Sequence, residues 1–303
     1  MTARRPGVRL AAALLLLAGS ALPATAAPLV LTDHLRREVR LAGPPARIVS
    51  LAPNLTEIVF ALGLGDRLVG VTDFCDYPPD VQRIPRVGGV ATPSLERVVA
   101  ARPDLVLATT AGNDRERVLA LARLGVPVLV TDPRDLAAVA DSFVLIARAA
   151  GAPEAGERLA ADFRARLDAL RQRLAGVAPV RTLLLVWSDP LVAAGPGAFL
   201  SNLLEVAGAT NVLAGTEGIG RAAAYPAIGL ETVLTLAPEA IVLVTQAGAS
   251  GDALARLRRY REIPAVRDGR LVTLEQAAAV RPGPRLPDAA AALARALHPA
   301  RFA

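Results

Sequence analysis

The chain has 303 residues, 53 % of them hydrophobic and 20 % charged, so it is long enough to bury a large core and to form one or two domains. Its formal charge of +6 falls to about +3 once Arg4, Arg5 and Arg9 are set aside, because the N-terminal stretch that carries them has no acid. The remaining basic residues are all arginine and are scattered, which argues against a polyanion-binding surface, and the single cysteine, Cys75, excludes an internal disulfide.

Residues 1–26 combine those arginines with an apolar run near Leu10–Ala18 and an A-x-A pattern at Ala24 and Ala26. The segment reads as a cleavable secretory signal whose apolar part is too short to span a bilayer. No lipid-attachment cysteine follows it, so the mature chain is expected to be soluble and exported, most simply to a bacterial periplasm.

After Pro28, short β-rich apolar runs alternate with helical periods, the pattern of parallel α/β architecture. Strands are expected at 47–52, 68–72, 105–109 and 126–131, and helices at 55–62, 95–101, 114–124 and 135–149. Residues 153–176 follow as one amphipathic helix with a stripe of Leu159, Phe163, Leu167, Leu170 and Leu174. At ~1.5 Å per residue it would run roughly 33 Å, and no glycine or proline interrupts it after Gly156, so it is expected to join two lobes stiffly. A second series follows, with strands at 181–187, 240–245 and 270–274 and helices at 199–206, 230–236 and 287–297. The expected organisation is therefore a signal (1–26), an N-terminal lobe (27–150), a connecting helix (151–176) and a C-terminal lobe (177–303).

The two series repeat each other. Residues 94–110, SLERVVAARPDLVLATT, match residues 229–245, GLETVLTLAPEAIVLVT, at an offset of 135, pairing Glu96 with Glu231 and Pro103 with Pro238. Residues 55–70 match 200–215 at an offset of 145, including Gly63 with Gly208. Ser94 and Gly229 are placed to cap helices, which puts each glutamate in a first turn where the exposed N–H groups favour an acid.

No catalytic constellation emerges. His34 and His298 lie near opposite ends of the mature chain and read as solvent-facing or capping residues, and no nucleophile elbow or phosphate loop is present. Gly63 follows a helix instead of a strand and reads as a helix C-cap, and Cys75, with no histidine nearby in sequence, reads as a buried small residue. What remains is a binding architecture, in which residues just after predicted strands face a shared cleft. Those residues are Pro53, Asn54, Phe74, Tyr77, Gly112, Asn113, Trp187 and Arg281, with Tyr225 in the loop before the second repeated helix. Aromatic residues make up only 3 % of the chain, so their concentration at such positions suggests a large, flat or greasy ligand.

The segments RIVSLAPNLTEIVFALG, VGVTDFCDYPP, SLERVVAARPDLVLATTAGN, LLEVAGATNVL, YPAIGLETVL and RPGPR resemble the substrate-binding proteins of ABC importers in the cobalamin, haem and siderophore group, across nearly the whole mature chain. That resemblance implies two Rossmann-like lobes with parallel sheets bridged by a rigid helix, no enzymatic activity and no cofactor. It also implies a monomer that holds cobalamin in the cleft and hands it to a membrane permease dimer with its ATPase. By the same resemblance, aromatics at Phe74 and Tyr225 and the loop Ala277–Arg281 touch the ligand, while Glu96 and Glu231 dock on permease arginines. The sequence departs from the family pattern at Val90 and Thr109, where tryptophans are usual, and at Ala277, where an aspartate is usual. Haem, through Tyr77 or Tyr225, and an anionic siderophore, through Arg221, Arg281 and Arg285, remain alternative ligands.

Overall fold

A computed structural model describes residues 28–216, 224–245, 255–275 and 280–303. The signal segment, Arg221 and Ala277 lie outside the described residues.

The first half carries a four-stranded parallel sheet in the order β4-β3-β5-β6, formed by β3 (Ile48–Ser50), β4 (Leu68–Val71), β5 (Leu105–Thr109) and β6 (Val128–Thr131). Alternate residues of these strands enter different cores. Leu105 and Leu107 pack toward one face while Val106 and Ala108 pack toward the other, which is why β5 is buried along its whole length. Helices α1 (Pro53–Ala61), α2 (Leu95–Ala100), α3 (Arg115–Arg123) and α4 (Leu136–Ala149) connect the strands. Side chains of Ser94, Asp114 and Asp135 cap the last three by accepting from the N–H groups of Arg97, Arg117 and Ala138 at 3.3, 2.9 and 2.8 Å.

The second half repeats the plan. β7 (Val180–Ser188), β9 (Ala209–Asn211), β10 (Ala240–Thr245) and β11 (Leu271–Glu275) lie in the order β9-β7-β10-β11, all parallel, with α6 (Phe199–Val206) and α7 (Leu230–Leu236) among the connections. The strand order is that of the first sheet. One addition breaks the symmetry: β8 (Leu191–Ala193) folds back antiparallel on the far end of β7.

The repeated phrase in the sequence now has an atomic meaning. Each copy ends its helix with a left-handed residue, Arg102 and Ala237, both at φ +43°, just before Pro103 and Pro238, because proline disfavours the helical region for its predecessor. In the first lobe Asp104 accepts from the N–H groups of Ala46 and Arg47 while the Arg47 guanidinium donates to the carbonyls of Ala101 and Arg102. In the second lobe Glu239 accepts from Arg181 N–H and Arg181 donates to the Leu236 carbonyl at 2.7 Å. Both connections therefore satisfy orphaned helix carbonyls with an arginine from the start of the first strand of their sheet. The other repeat behaves alike: Gly63 and Gly208 follow α1 and α6 at φ +75° and +76°, a conformation that glycine adopts without a Cβ penalty.

Between the halves runs α5 (Pro153–Arg173), about 31 Å long at ~1.5 Å per residue. Its buried stripe includes Phe163, Leu167 and Leu170, and Leu174 at its C-cap. The Phe163 ring meets Phe143 of α4 edge-on, with centroids 5.3 Å apart. At Gly156 the two helices approach so closely that a Cβ would lie 2.4 Å from that of Ala147. One continuous core joins α1, α4, α5, α6 and the C-terminal helix (Leu286–Leu297) to a face of each sheet. The lobes are thus coupled by shared packing as well as by a rigid link.

Several short elements are absent from the sequence reading. A hairpin of β1 (Leu29–Thr32) and β2 (Glu38–Leu41) precedes the first lobe. Its turn is stitched to β6: buried Asp33 pairs with Arg37 and accepts from Val130 N–H, and His34 Nδ1 accepts from Asp132 N–H at 3.1 Å. The short strands β8 and β9 and a one-turn helix at Pro264–Arg267 are further ones. Of the two readings of His298, capping holds and solvent-facing does not: it is the C-cap of the C-terminal helix and is buried, with Nε2 2.8 Å from the Gly208 carbonyl oxygen, because it closes the gap over the end of α6. Cys75 is buried against the hydroxyls of Thr56 and Thr72, as a small residue would be.

Candidate functional site

The residues that the sequence places in a cleft stand at the C-terminal ends of parallel strands in both lobes, where open α/β sheets leave a crevice. Most aromatic surface of the described chain is found there. Phe74 is 61 % exposed, Trp187 57 %, Tyr225 47 % and Tyr77 45 %, although such side chains are ordinarily buried.

The first-lobe wall consists of loops after β3, β4 and β5. Asp73 N–H donates to the Gly88 carbonyl, and Arg86 donates to the carbonyls of Thr72 and Cys75, so the loop carrying Phe74 is held by its own lobe. Asn113 accepts from Thr109 N–H and donates to the carbonyls of Leu51 and Val90, all at 2.8 Å, which ties three loops together. Gly112, at φ +121°, lies where a Cβ would come within 3.2 Å of Val90. The structure brings Phe74, Val90, Gly112 and Asn113 into one wall, with the Asn113 amide engaged by protein.

The second-lobe wall rests on backbone. β8 pairs with β7 on one side, and on the other Ala193 N–H donates to the Pro226 carbonyl and Ile228 N–H to the Leu191 carbonyl. Trp187 and Tyr225 thus flank the same short strand. Trp187 Nε1 donates to the Asp189 carbonyl at 2.9 Å. Desolvation pushes the Tyr225 phenol up to about 12, so it is neutral at ordinary pH even though about half of the residue surface is open.

Between the walls lies a network of charges. Glu57, buried on α1, accepts from Arg285 at both carboxylate oxygens, 2.9 and 2.8 Å, and from Arg281 at 3.1 Å. Arg281 also grips both oxygens of Asp76 and donates to the Phe74 carbonyl at 3.2 Å. The Arg285 guanidinium lies 4.2 Å from the Tyr77 ring centroid, within cation–π range. Asn54, also buried, donates to the Pro282 carbonyl at 3.4 Å, and Gly283 packs on it; Pro53 begins the same helix. The hydrogen bond from Arg281 holds the Asp76 carboxyl below its ordinary value of 3.8, and burial of Arg281 is more than offset by its carboxylate partners, which keep it charged. Arg281, read from sequence as a ligand contact, therefore has its terminal N–H groups engaged across the lobes.

Glu96 and Glu231 occupy matching exposed positions on α2 and α7, away from this network. One turn on, Val99 and Leu234 are also exposed, at the same offset of 135 residues. Among the described residues neither glutamate makes an ion pair. No group of three or more His, Cys, Asp or Glu that could hold a metal occurs among the described residues, and no described helix is long and apolar enough to cross a membrane.

Residues 48–278 match the family model described as periplasmic binding protein. The chain belongs to that family. As such it is a binding component of transport, not an enzyme. It is 32 % identical to the vitamin B12-binding protein of Vibrio cholerae over 246 residues, 81 % of this chain and 87 % of the relative. The Vibrio parahaemolyticus vitamin B12-binding protein is 33 % identical over 242 residues, 80 % and 86 % of the two chains. Among solved structures, periplasmic vitamin B12 binding protein BtuF of Vibrio cholerae superposes with a TM-score of 0.74 at 32 % identity, covering 86 % of this chain and 99 % of that one. The periplasmic heme-binding protein RhuT of Roseiflexus superposes with a TM-score of 0.75 at 28 % identity, covering 84 % and 98 %. Together these show the expected fold, two α/β lobes with parallel sheets joined by one long helix, the class III architecture of periplasmic binding proteins.

For a periplasmic binding protein, the residues that sequence reading passed over are Glu57 and Asp76. A signal existed for the first: Glu57 is the only charged residue in α1, PNLTEIVFA, and an isolated acid on an apolar helix has to find a partner. For Asp76 the sequence carried no such signal.

Proposed function

We propose that this protein captures a corrinoid, vitamin B12 or a close relative, between its lobes and delivers it to the membrane permease of an ABC importer. The observation that carries the ligand class is the set of exposed aromatic side chains, Phe74, Tyr77, Trp187 and Tyr225, at strand ends in both lobes. Such a surface suits a broad, flat macrocycle better than a small polar solute. The vitamin B12-binding relatives support the same ligand. The ligand set proposed from sequence narrows accordingly: these aromatics and the Gly112 backbone make direct contact, whereas Asn54, Asn113 and Arg281 shape the walls.

The test is calorimetry of the mature protein with cyanocobalamin, for which one-to-one binding is expected; absence of heat and no retention of the red ligand would overturn the assignment. Haem is the second reading, favoured by similarity to heme-binding structures. In that reading Tyr77 or Tyr225 would hold the iron as a phenolate. No resident cofactor is part of the proposal.

Delivery rests on Glu96 and Glu231. Two matched acids on two matched helices fit a permease of twofold symmetry bearing basic residues, and exposed charges of this kind set docking register and association rate. Reversing both to arginine is expected to abolish uptake while cyanocobalamin affinity stays within about twofold; normal uptake in that double variant would remove the docking role. Export through the signal at 1–26, a soluble monomeric mature form without a lipid anchor, and a partner ATPase complete the reading.

A further inference from the structure

Arg281 stands where the two walls meet, and an arginine there would ordinarily be a receptor for carboxylate, since its planar fork matches two carboxylate oxygens. In this protein the end of the fork is already filled. Nη1 and Nη2 each donate to a different oxygen of Asp76, the second N–H of Nη1 goes to Glu57 at 3.1 Å, and that of Nη2 goes to the Phe74 carbonyl at 3.2 Å. Asp76 reaches this position from the other lobe, and its side chain is 57 % exposed, whereas that of Arg281 is 16 % exposed. The occupant of the arginine is thus the member of the pair nearer to solvent. Within the network two carboxylates, Glu57 and Asp76, balance two guanidiniums, Arg281 and Arg285, so the cluster offers no net positive charge to an incoming anion.

We infer that Asp76 is a specificity residue that acts as an internal stand-in for a ligand carboxylate: it occupies the Arg281 fork and excludes anionic macrocycles while leaving neutral, amide-bearing ones unaffected. The inference rests on the cleft being the ligand site. Discrimination of this kind works through a repulsive element, because an anionic competitor must displace Asp76 or approach its charge closely. A corrinoid whose periphery is built from neutral amides meets neither cost. A tetrapyrrole with two ionised propionates meets both.

The experiment compares wild type, Asp76→Asn and Asp76→Glu for binding of two probes, cyanocobalamin and metal-free protoporphyrin IX as its dicarboxylate, at low and moderate salt. Asp76→Asn keeps the size of the side chain and frees one positive charge of Arg281. Its affinity for the porphyrin dianion is expected to rise about tenfold or more at low salt and to decline again as salt is added. Cyanocobalamin affinity is expected to change by less than about threefold, and Asp76→Glu is expected to restore exclusion of the dianion. A purely structural role for Asp76 predicts something else: a loosened Phe74 loop weakens both probes together. Unchanged or weaker porphyrin binding by Asp76→Asn, including no binding by either form, overturns the inference. Failure of the wild type to hold cyanocobalamin overturns the corrinoid reading instead, and the porphyrin comparison still decides the role of Asp76.

Discussion

The wall of the first lobe and the wall of the second are built on different principles. Phe74 and Tyr77 sit on a loop held by side chains, Arg86 from within the lobe and Arg281 and Arg285 from the other lobe. Trp187 and Tyr225 sit beside a backbone ladder, β8 between β7 and the segment at Pro226–Ile228, with the turn at Asp189 also paired to Arg256 of the same lobe at 2.8 Å. The contrast shows that a duplicated fold can keep its connections and still diverge at the aromatic walls. The helix-to-strand joints, closed by Arg47 in one lobe and Arg181 in the other, are repeated in plan because backbone groups at a helix end must be satisfied in any lobe of this kind. The aromatic walls have no such obligation.

The largest effect that separates the two walls is expected from Glu57→Ala. It removes a carboxylate whose side chain is only 3 % exposed and takes charge-assisted hydrogen bonds from two guanidiniums, Arg281 keeping Asp76 and Arg285 keeping Tyr77, which should cost about 2–3 kcal/mol in urea denaturation. The second-lobe wall has no comparable dependence. Tyr225→Ala is expected to weaken ligand binding by about tenfold, about 1.4 kcal/mol, with little change in the denaturation midpoint, and unchanged affinity would remove Tyr225 from the site. Acid should also act on the first wall. Because the folded state holds Asp76 below its ordinary 3.8, the stability it contributes is present above that value and is lost only as pH falls beneath it. The urea denaturation midpoint should therefore be flat from pH 7 to about 5 and fall below the ordinary carboxylate range. The smallest effect concerns α2 and α7, which carry Glu96 and Glu231. Ser94→Ala should cost about 1 kcal/mol by removing the cap of α2, whereas Gly229→Ser should stabilise α7 by a few tenths, since that position has extended backbone but no side-chain acceptor.

Much of the scaffold was legible because it obeys local rules. β5, α6, α7 and β10 fall where the apolar periods put them, and Ser94, Asp114 and Asp135 cap helices as short polar residues before apolar periods do. The hairpin β1–β2 was not legible, since each strand has four residues and its hold on β6 depends on Asp33, 97 residues away from Val130. The three-residue strands β8 and β9 are readable only once the nine-residue β7 exists to pair with them. Of the candidate site, the exposed aromatics could be found from their positions after strands, but the engagement of Asn54, Asn113 and Arg281 could not.

The sequence by itself determined the two α/β lobes, the stiff helix between them, the matched acids and the aromatic residues at strand ends, because periodicity, capping and duplication are written in neighbouring residues. Only the tertiary structure decided which charges meet. Arg281 and Glu57 are 224 residues apart, and Arg281 and Asp76 are 205. Whether an arginine faces a ligand or is answered by an acid of its own chain depends on how the shared core sets one lobe against the other, and no local pattern encodes that distance.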